Sequence, residues 1–193
     1  VPKILSRLSL LPLLLAASLL SACAGARDPH VPAPPPSEYA ALAQSIQGLG
    51  PNVDPEEAQR MARISIDYPR ELAVAWNVTD PAYIHNIKVN NGTRPRGLCY
   101  QWADDLQARL EQENFQTLDL HRGIANALKT FRIEHSSVIV SQKGGTMKEG
   151  IVLDPWRFGG ELYWGPVVDD HKYPWVERQE VFATKRALRL QEG

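Results

Sequence analysis

The hydrophobic period of this 193-residue chain changes once, near residue 115. Before that point apolar residues recur at helical spacing; after it they gather in short β-branched or aromatic runs separated by Gly, Pro and Asp. Ser37 opens a short amphipathic stretch that ends at Gly48. Asp54-Pro55-Glu56-Glu57 then supplies an N-cap candidate, a proline for the first helical position and acid for the first turn. Met61, Ile64 and Tyr68 follow at helical spacing, and Pro69 is expected to end or kink that helix. Glu71–Trp76 and Pro81–Val89 read as further short helices, the second capped by Asp80, before Asn90-Asn91-Gly92 breaks the chain. Leu98, Trp102, Leu106 and Leu110 draw an apolar stripe along a helix of about residues 98–112. Strands are expected at Gln116–His121, Glu134–Ser141, Gly150–Leu153 and Glu161–Val167, and partial helix from Trp175 to Leu190. Helices first and strands afterwards predict an α+β domain.

The opening residues carry a different signal. Lys3 and Arg7 precede an apolar run, Leu8–Leu20, that is too short for a comfortable membrane span. The run closes on Leu20-Ser21-Ala22-Cys23, which resembles the lipobox of bacterial lipoprotein signals. That resemblance implies cleavage before Cys23, lipid on its sulfur and new amino group, and membrane attachment through that lipid. The chain divides accordingly into a signal peptide (1–22), a lipidated cysteine with a Pro/Ala-rich tether (23–37) and one folded domain (38–193). Ala24 follows Cys23 where an aspartate would suggest inner-membrane retention, so the periplasmic face of the outer membrane is the expected address. A formal net charge of −1 gives no reason to expect a nucleic-acid partner.

If Cys23 carries lipid, Cys99 is the one thiol left, in a compartment where spare thiols are a liability. It lies in the first turn of the helix at 98–112. Backbone N–H groups there lack intrahelical acceptors, and the helix dipole places partial positive charge beside the sulfur; both favour thiolate. The alternative is that Cys99 is a small apolar residue packing beneath Tyr100 and Trp102.

A cysteine nucleophile needs a base, and the base an orienting partner. His135 begins one expected strand and Asp154 ends the next. A two-residue turn at Gly144-Gly145 would set them directly opposite, with Cβ atoms about 4.5–5.5 Å apart on one side of the sheet. A slightly longer loop would make the pair diagonal yet still within reach. His121, His135 and Asp154 could instead hold a metal, but that would leave Cys99 unexplained, and no metal or cofactor is expected. Trp156 and Trp164 are candidates to line a substrate groove, with core or rim packing as their alternative. Asp104 and Asp105 read as a solvated face, and Arg94 and Arg96 as attractors of an acidic substrate group or as plain loop charges.

Gly97-Leu98-Cys99 with Ala103 and Leu106, His135 at a strand start and Ile151-Val152-Leu153-Asp154-Pro155 together resemble the transglutaminase-like core of the papain-like thiol superfamily, over roughly residues 90–165. The resemblance implies a papain-like fold, N-terminal helices followed by an antiparallel sheet packed against the cysteine-bearing helix. It implies Cys99 as nucleophile, His135 as general base and then acid, and Asp154 as the orienting carboxylate. The Cys99 N–H would be one oxyanion donor, with Asn90, Asn91 and Trp76 as candidates for the second. Ser136-Ser137 stand where members often carry an aromatic residue soon after the histidine. The bacterial periplasmic members, transglutaminase-like cysteine proteinases, imply a lipid-anchored cell-envelope protease or amidase acting on a peptide or protein substrate through a thioester. A non-catalytic binding or structural lipoprotein of the same fold and a protein-crosslinking transglutaminase are the alternatives.

Overall fold

A computed structural model of the chain describes residues 33–192. The expected signal peptide, Cys23 and most of the tether lie outside the described residues. Four helices come first: α1 (Pro36–Gln47), α2 (Pro55–Ala75), α3 (Ala82–Asn90) and α4 (Cys99–Glu111). Strands β1 (Leu118–Ala125), β2 (His135–Gln142), β3 (Ile151–Phe158), β4 (Glu161–Pro166) and β5 (Val176–Glu177) follow, and α5 (Arg178–Glu192) closes the described chain. The strands form one antiparallel sheet in the order β4-β3-β2-β1-β5, so the domain is α+β as its change of period predicted. No helix among the described residues is long and apolar enough to cross a membrane.

The sequence signals explain most boundaries. Asp54 accepts from the Glu56 and Glu57 N–H groups at 2.8 and 2.9 Å, capping α2, and Pro55 takes the first helical position. Glu57 is more than first-turn acid. Its buried carboxylate takes the Gln116 N–H at 2.7 Å, with the Thr117 N–H and hydroxyl at 2.8 and 2.6 Å, and so fastens the start of α2 to the approach to β1.

Two expectations are corrected. Pro69 neither ends nor divides its helix; α2 runs through it to Ala75. Pro69 is itself buried, and the Gly159-Gly160 turn presses so closely that a Cβ on Gly160 would meet the Ala73 Cβ at 2.6 Å. Packing on that face offsets the backbone bond the proline forfeits. Asp80 does not cap α3, whose N-cap is Pro81; its carboxylate instead takes Lys88 Nζ at 2.7 and 2.9 Å.

Alternate residues of β2 serve two cores, as the period-2 pleat requires. Val138 and Val140, with Leu153 of β3, face α1, α2 and α4 and pack against Leu42, Ile46, Met61, Ile66, Leu106 and Leu110. Ile139 and Val152 face the other way, beneath Tyr173 and Trp175.

Candidate active site

Cys99 is the first residue of α4, and what precedes it is pinned. Gln101 Oε1 accepts from the Gly97 and Leu98 N–H groups at 2.9 and 3.0 Å, and Trp102 Nε1 donates to the Gly97 carbonyl at 2.9 Å. Gly97 sits at φ +131°, and a Cβ there would meet the His85 ring at 2.4 Å, so both backbone and space demand glycine. The buried His85 ring bonds the Arg96 carbonyl at 2.8 Å and thereby holds the same loop. With Gln101 spent on Gly97 and Leu98, the Cys99 N–H stands at the helix end without an intrahelical acceptor.

Two residues bring the start of α4 to the start of β2. Cys99 Sγ lies 3.5 Å from the carbonyl oxygen of Glu134, the residue before His135. Arg122 of β1, buried and not anticipated from sequence, forks across the junction. Its Nε donates to Ser136 Oγ at 2.8 Å, one Nη to the Tyr100 carbonyl at 3.0 Å and the other to Asp104 at 2.9 Å. The residue after the thiol and the residue after the imidazole are thus held by one guanidinium. Asp104, exposed as expected, is also a partner of that fork, and the half-buried Asp105 pairs with Arg96 at 2.7 Å.

The β2–β3 connection is longer than a two-residue turn, because a single helical turn at Met147–Glu149 intervenes. Val138 consequently pairs with Leu153 instead of Ile151, and His135 and Asp154 form the diagonal arrangement. They are in direct contact: the His135 Nε2–H donates to Asp154 Oδ2 at 2.6 Å. Asp154-Pro155 does not terminate the strand. β3 continues to Phe158 through an irregularity between Asp154 and Phe158, where a proline's missing donor is tolerated.

Asp154 is fully buried and has a second cation, Arg157, whose Nε reaches the same oxygen at 2.7 Å. Arg157 also pairs with buried Asp170 and lies between the Tyr163 and Tyr173 rings, 3.6 and 4.6 Å from their centroids. Burial alone would push the Asp154 carboxyl up, but His135 and Arg157 hold it below the usual carboxylate range. Burial alone would likewise lower the His135 pKa. The Asp154 carboxylate, assisted by Cys99, overrides that and raises it from 6.5 to about 9. The other ring nitrogen, Nδ1, is buried with no hydrogen-bond partner.

Aromatic rings enclose the imidazole: Tyr173, Trp156 and Trp175 have centroids 4.4, 4.6 and 5.3 Å from it. Trp175 fits because Gly123 lies beneath it, where a Cβ would come within 3.0 Å of its ring and 2.8 Å of Ile139. Trp156, a candidate to line a substrate groove, packs against Cys99 and His135, lines a cleft beside that imidazole, and donates its indole N–H to Asn86 at 3.0 Å. Trp164 pairs with Leu153 across β3–β4 and packs against the main core, while its neighbour Tyr163 pairs with Asp154. His121 is bonded to Ser141 and Glu177, at 2.9 and 3.2 Å. No group of three or more His, Cys, Asp or Glu among the described residues is placed to hold a metal. Trp76 shares the Cys99 cluster, whereas Asn90 and Asn91 are exposed at the far end of α3. Arg96, paired with Asp105, stacks over Trp76 at 5.3 Å, and Arg94 bonds the Asn77 carbonyl at 3.1 Å.

Arg122, Arg157 and Asp170 are the site residues that sequence reasoning missed. Arg122 and its partners, and the Arg157–Asp170 pair, meet across 13 to 22 residues, so no local pattern marks them; Arg157 also follows Asp154 by three residues in β3, which is the one local signal that was there. No family model, no curated protein and no solved structure matches this chain.

Proposed function

We propose that this chain is a cysteine hydrolase of the transglutaminase-like, papain-like thiol class, tethered by lipid on Cys23 to the periplasmic face of the outer membrane. On this reading it cleaves a peptide or amide bond in an envelope substrate. The observation that carries the reading is the buried His135–Asp154 bond, 2.6 Å long, beside a helix N-terminus that bears Cys99. A pKa of about 9 makes His135 an imidazolium at neutral pH, so it supplies both a counter-ion for a thiolate and a proton for a leaving amine.

The chemistry then runs in two halves. Thiolate Sγ attacks the carbonyl carbon, and the resulting oxyanion faces the Cys99 N–H. As the C–N bond breaks, the Nδ1 proton of His135 passes to the departing amine and a thioester remains. Water next loses a proton to Nδ1 and attacks the thioester; collapse expels the thiolate and releases the carboxylic acid. Asp154 keeps Nε2 occupied throughout, so Nδ1 is the nitrogen that moves protons.

A second reading, a lipoprotein that holds a ligand in this cleft without turnover, draws on the burial of the pair: Cys99 is 8% exposed and His135 1%. Iodoacetamide labelling of Cys99 in chain lacking residues 1–23 separates the two. Catalysis predicts labelling at pH 7 that His135→Ala slows by about tenfold or more, the effect of removing an adjacent opposite charge. Slow labelling unchanged by His135→Ala supports the holding reading.

A further inference from the structure

Beside His135 opens a cleft of about 250 Å³ whose lining includes Tyr83 of α3, Trp156 of β3, Phe131, Arg132 and Ile133 of the β1–β2 loop, and Lys172. Its composition is one-sided. Besides His135 itself, two cations line it and none of the lining residues is acidic. The nearby carboxylates are already engaged: Glu134 pairs with Lys185, and buried Asp154 and Asp170 share Arg157. Among the described residues Arg132 has no carboxylate partner, and Lys172 has only the Tyr173 ring, 5.5 Å away.

The walls are equally specific. Phe131 is fully exposed at φ +62°, a left-handed conformation uncommon for a bulky residue. Ile133 and Tyr83, which also line the cleft, are about half exposed. Apolar side chains held out to water at a cleft mouth mark a place where something docks.

Position identifies which part of a substrate that is. The cleft is lined by His135 and not by Cys99. Because His135 protonates the leaving amine, what lies beyond it on this side belongs to the amine half of the scissile bond. Resting on the hydrolase reading above, we infer that the cleft is the leaving-group subsite and takes an acidic residue with an apolar neighbour. Arg132 and Lys172 receive the carboxylate; Phe131, Ile133 and Tyr83 receive the apolar side chain.

Two measurements test this. In the Cys99→Ala chain, which cannot turn over, fluorescein-labelled Ala-Ala-Glu-Phe amide is compared with Ala-Ala-Lys-Phe amide by anisotropy. The acidic peptide is expected to bind about tenfold tighter at low salt, with the preference lost in Arg132→Glu/Lys172→Glu. Equal binding of the two peptides, a preference for lysine, or no binding of either overturns the inference.

In the chain with Cys99 intact, the rate ratio of iodoacetate to iodoacetamide labelling reads the same charge without any need for catalysis. The double charge reversal is expected to lower that ratio by about threefold or more, and an unchanged ratio overturns the inference. If the acidic peptide binds selectively while His135→Ala leaves labelling untouched, the hydrolase reading falls and the acid-selective site stands.

Discussion

On the sheet face covered by α1, α2 and α4 the buried side chains are mostly aliphatic: Leu42, Ile46, Met61, Ile66, Leu106 and Leu110 against Val138, Val140 and Leu153. Where β2 begins and β3 runs alongside, the buried side chains are His135, Asp154, Arg157, Asp170 and Arg122, wrapped by Trp156, Tyr173 and Trp175. The first region removes hydrocarbon from water and asks little of orientation. The second buries several charges, a costly arrangement unless each is paired, and here each is. The aliphatic face therefore accounts for why the chain folds, and the charged end for the geometry on which the proposed hydrolysis rests.

The comparison breaks most visibly at Asp154. Asp154→Ala leaves Arg157 and His135 facing a buried void, and is expected to cost about 3–5 kcal/mol in denaturant unfolding while also slowing Cys99 labelling. Leu106→Ala, on the aliphatic face and fully buried, is expected to cost about 3 kcal/mol yet to keep the His135 dependence of labelling in the folded fraction. Equal damage to labelling from both would erase the distinction between the regions.

Arg122→Lys keeps a charge beside Asp104 but loses the fork to Ser136 and Tyr100. About 1–3 kcal/mol of stability is expected to go, with labelling slowed more than Leu106→Ala slows it. Lys143→Ala, at a solvent-exposed pair with Asp119, should shift stability by less than about 0.5 kcal/mol, checked by the same unfolding curves.

Much of this was legible beforehand. The four-residue spacing from Leu98 to Leu110 marks α4, and Asp54-Pro55 marks the start of α2, because caps and stripes are local. The His135–Asp154 pair was readable because two strands joined by a short Gly-rich connection leave few registers. The register itself was not, since the helical turn at Met147–Glu149 carries no β-turn signature. Passage of α2 through Pro69 depends on packing against a turn some 90 residues away, which propensity cannot register. β5 is two residues long, too short for any period, yet it follows directly the Tyr173–Trp175 segment that covers the imidazole.

The central claim is that His135 is a buried imidazolium held by Asp154, and it carries a sign. The folded pKa of about 9 lies above the ordinary 6.5, so the stabilisation from this group is full below pH 6.5 and lost as pH rises through 9. The gap in unfolding free energy between the parent chain and His135→Gln is expected to narrow by roughly 3 kcal/mol from pH 6 to pH 10.

The most direct measurement is the nitrogen-15 spectrum of the His135 ring across pH. The account predicts both nitrogens protonated at pH 7, a titration near 9, and a large downward move of that titration in Asp154→Asn. A neutral ring at pH 7 that titrates below 6.5, indifferent to Asp154→Asn, would contradict it.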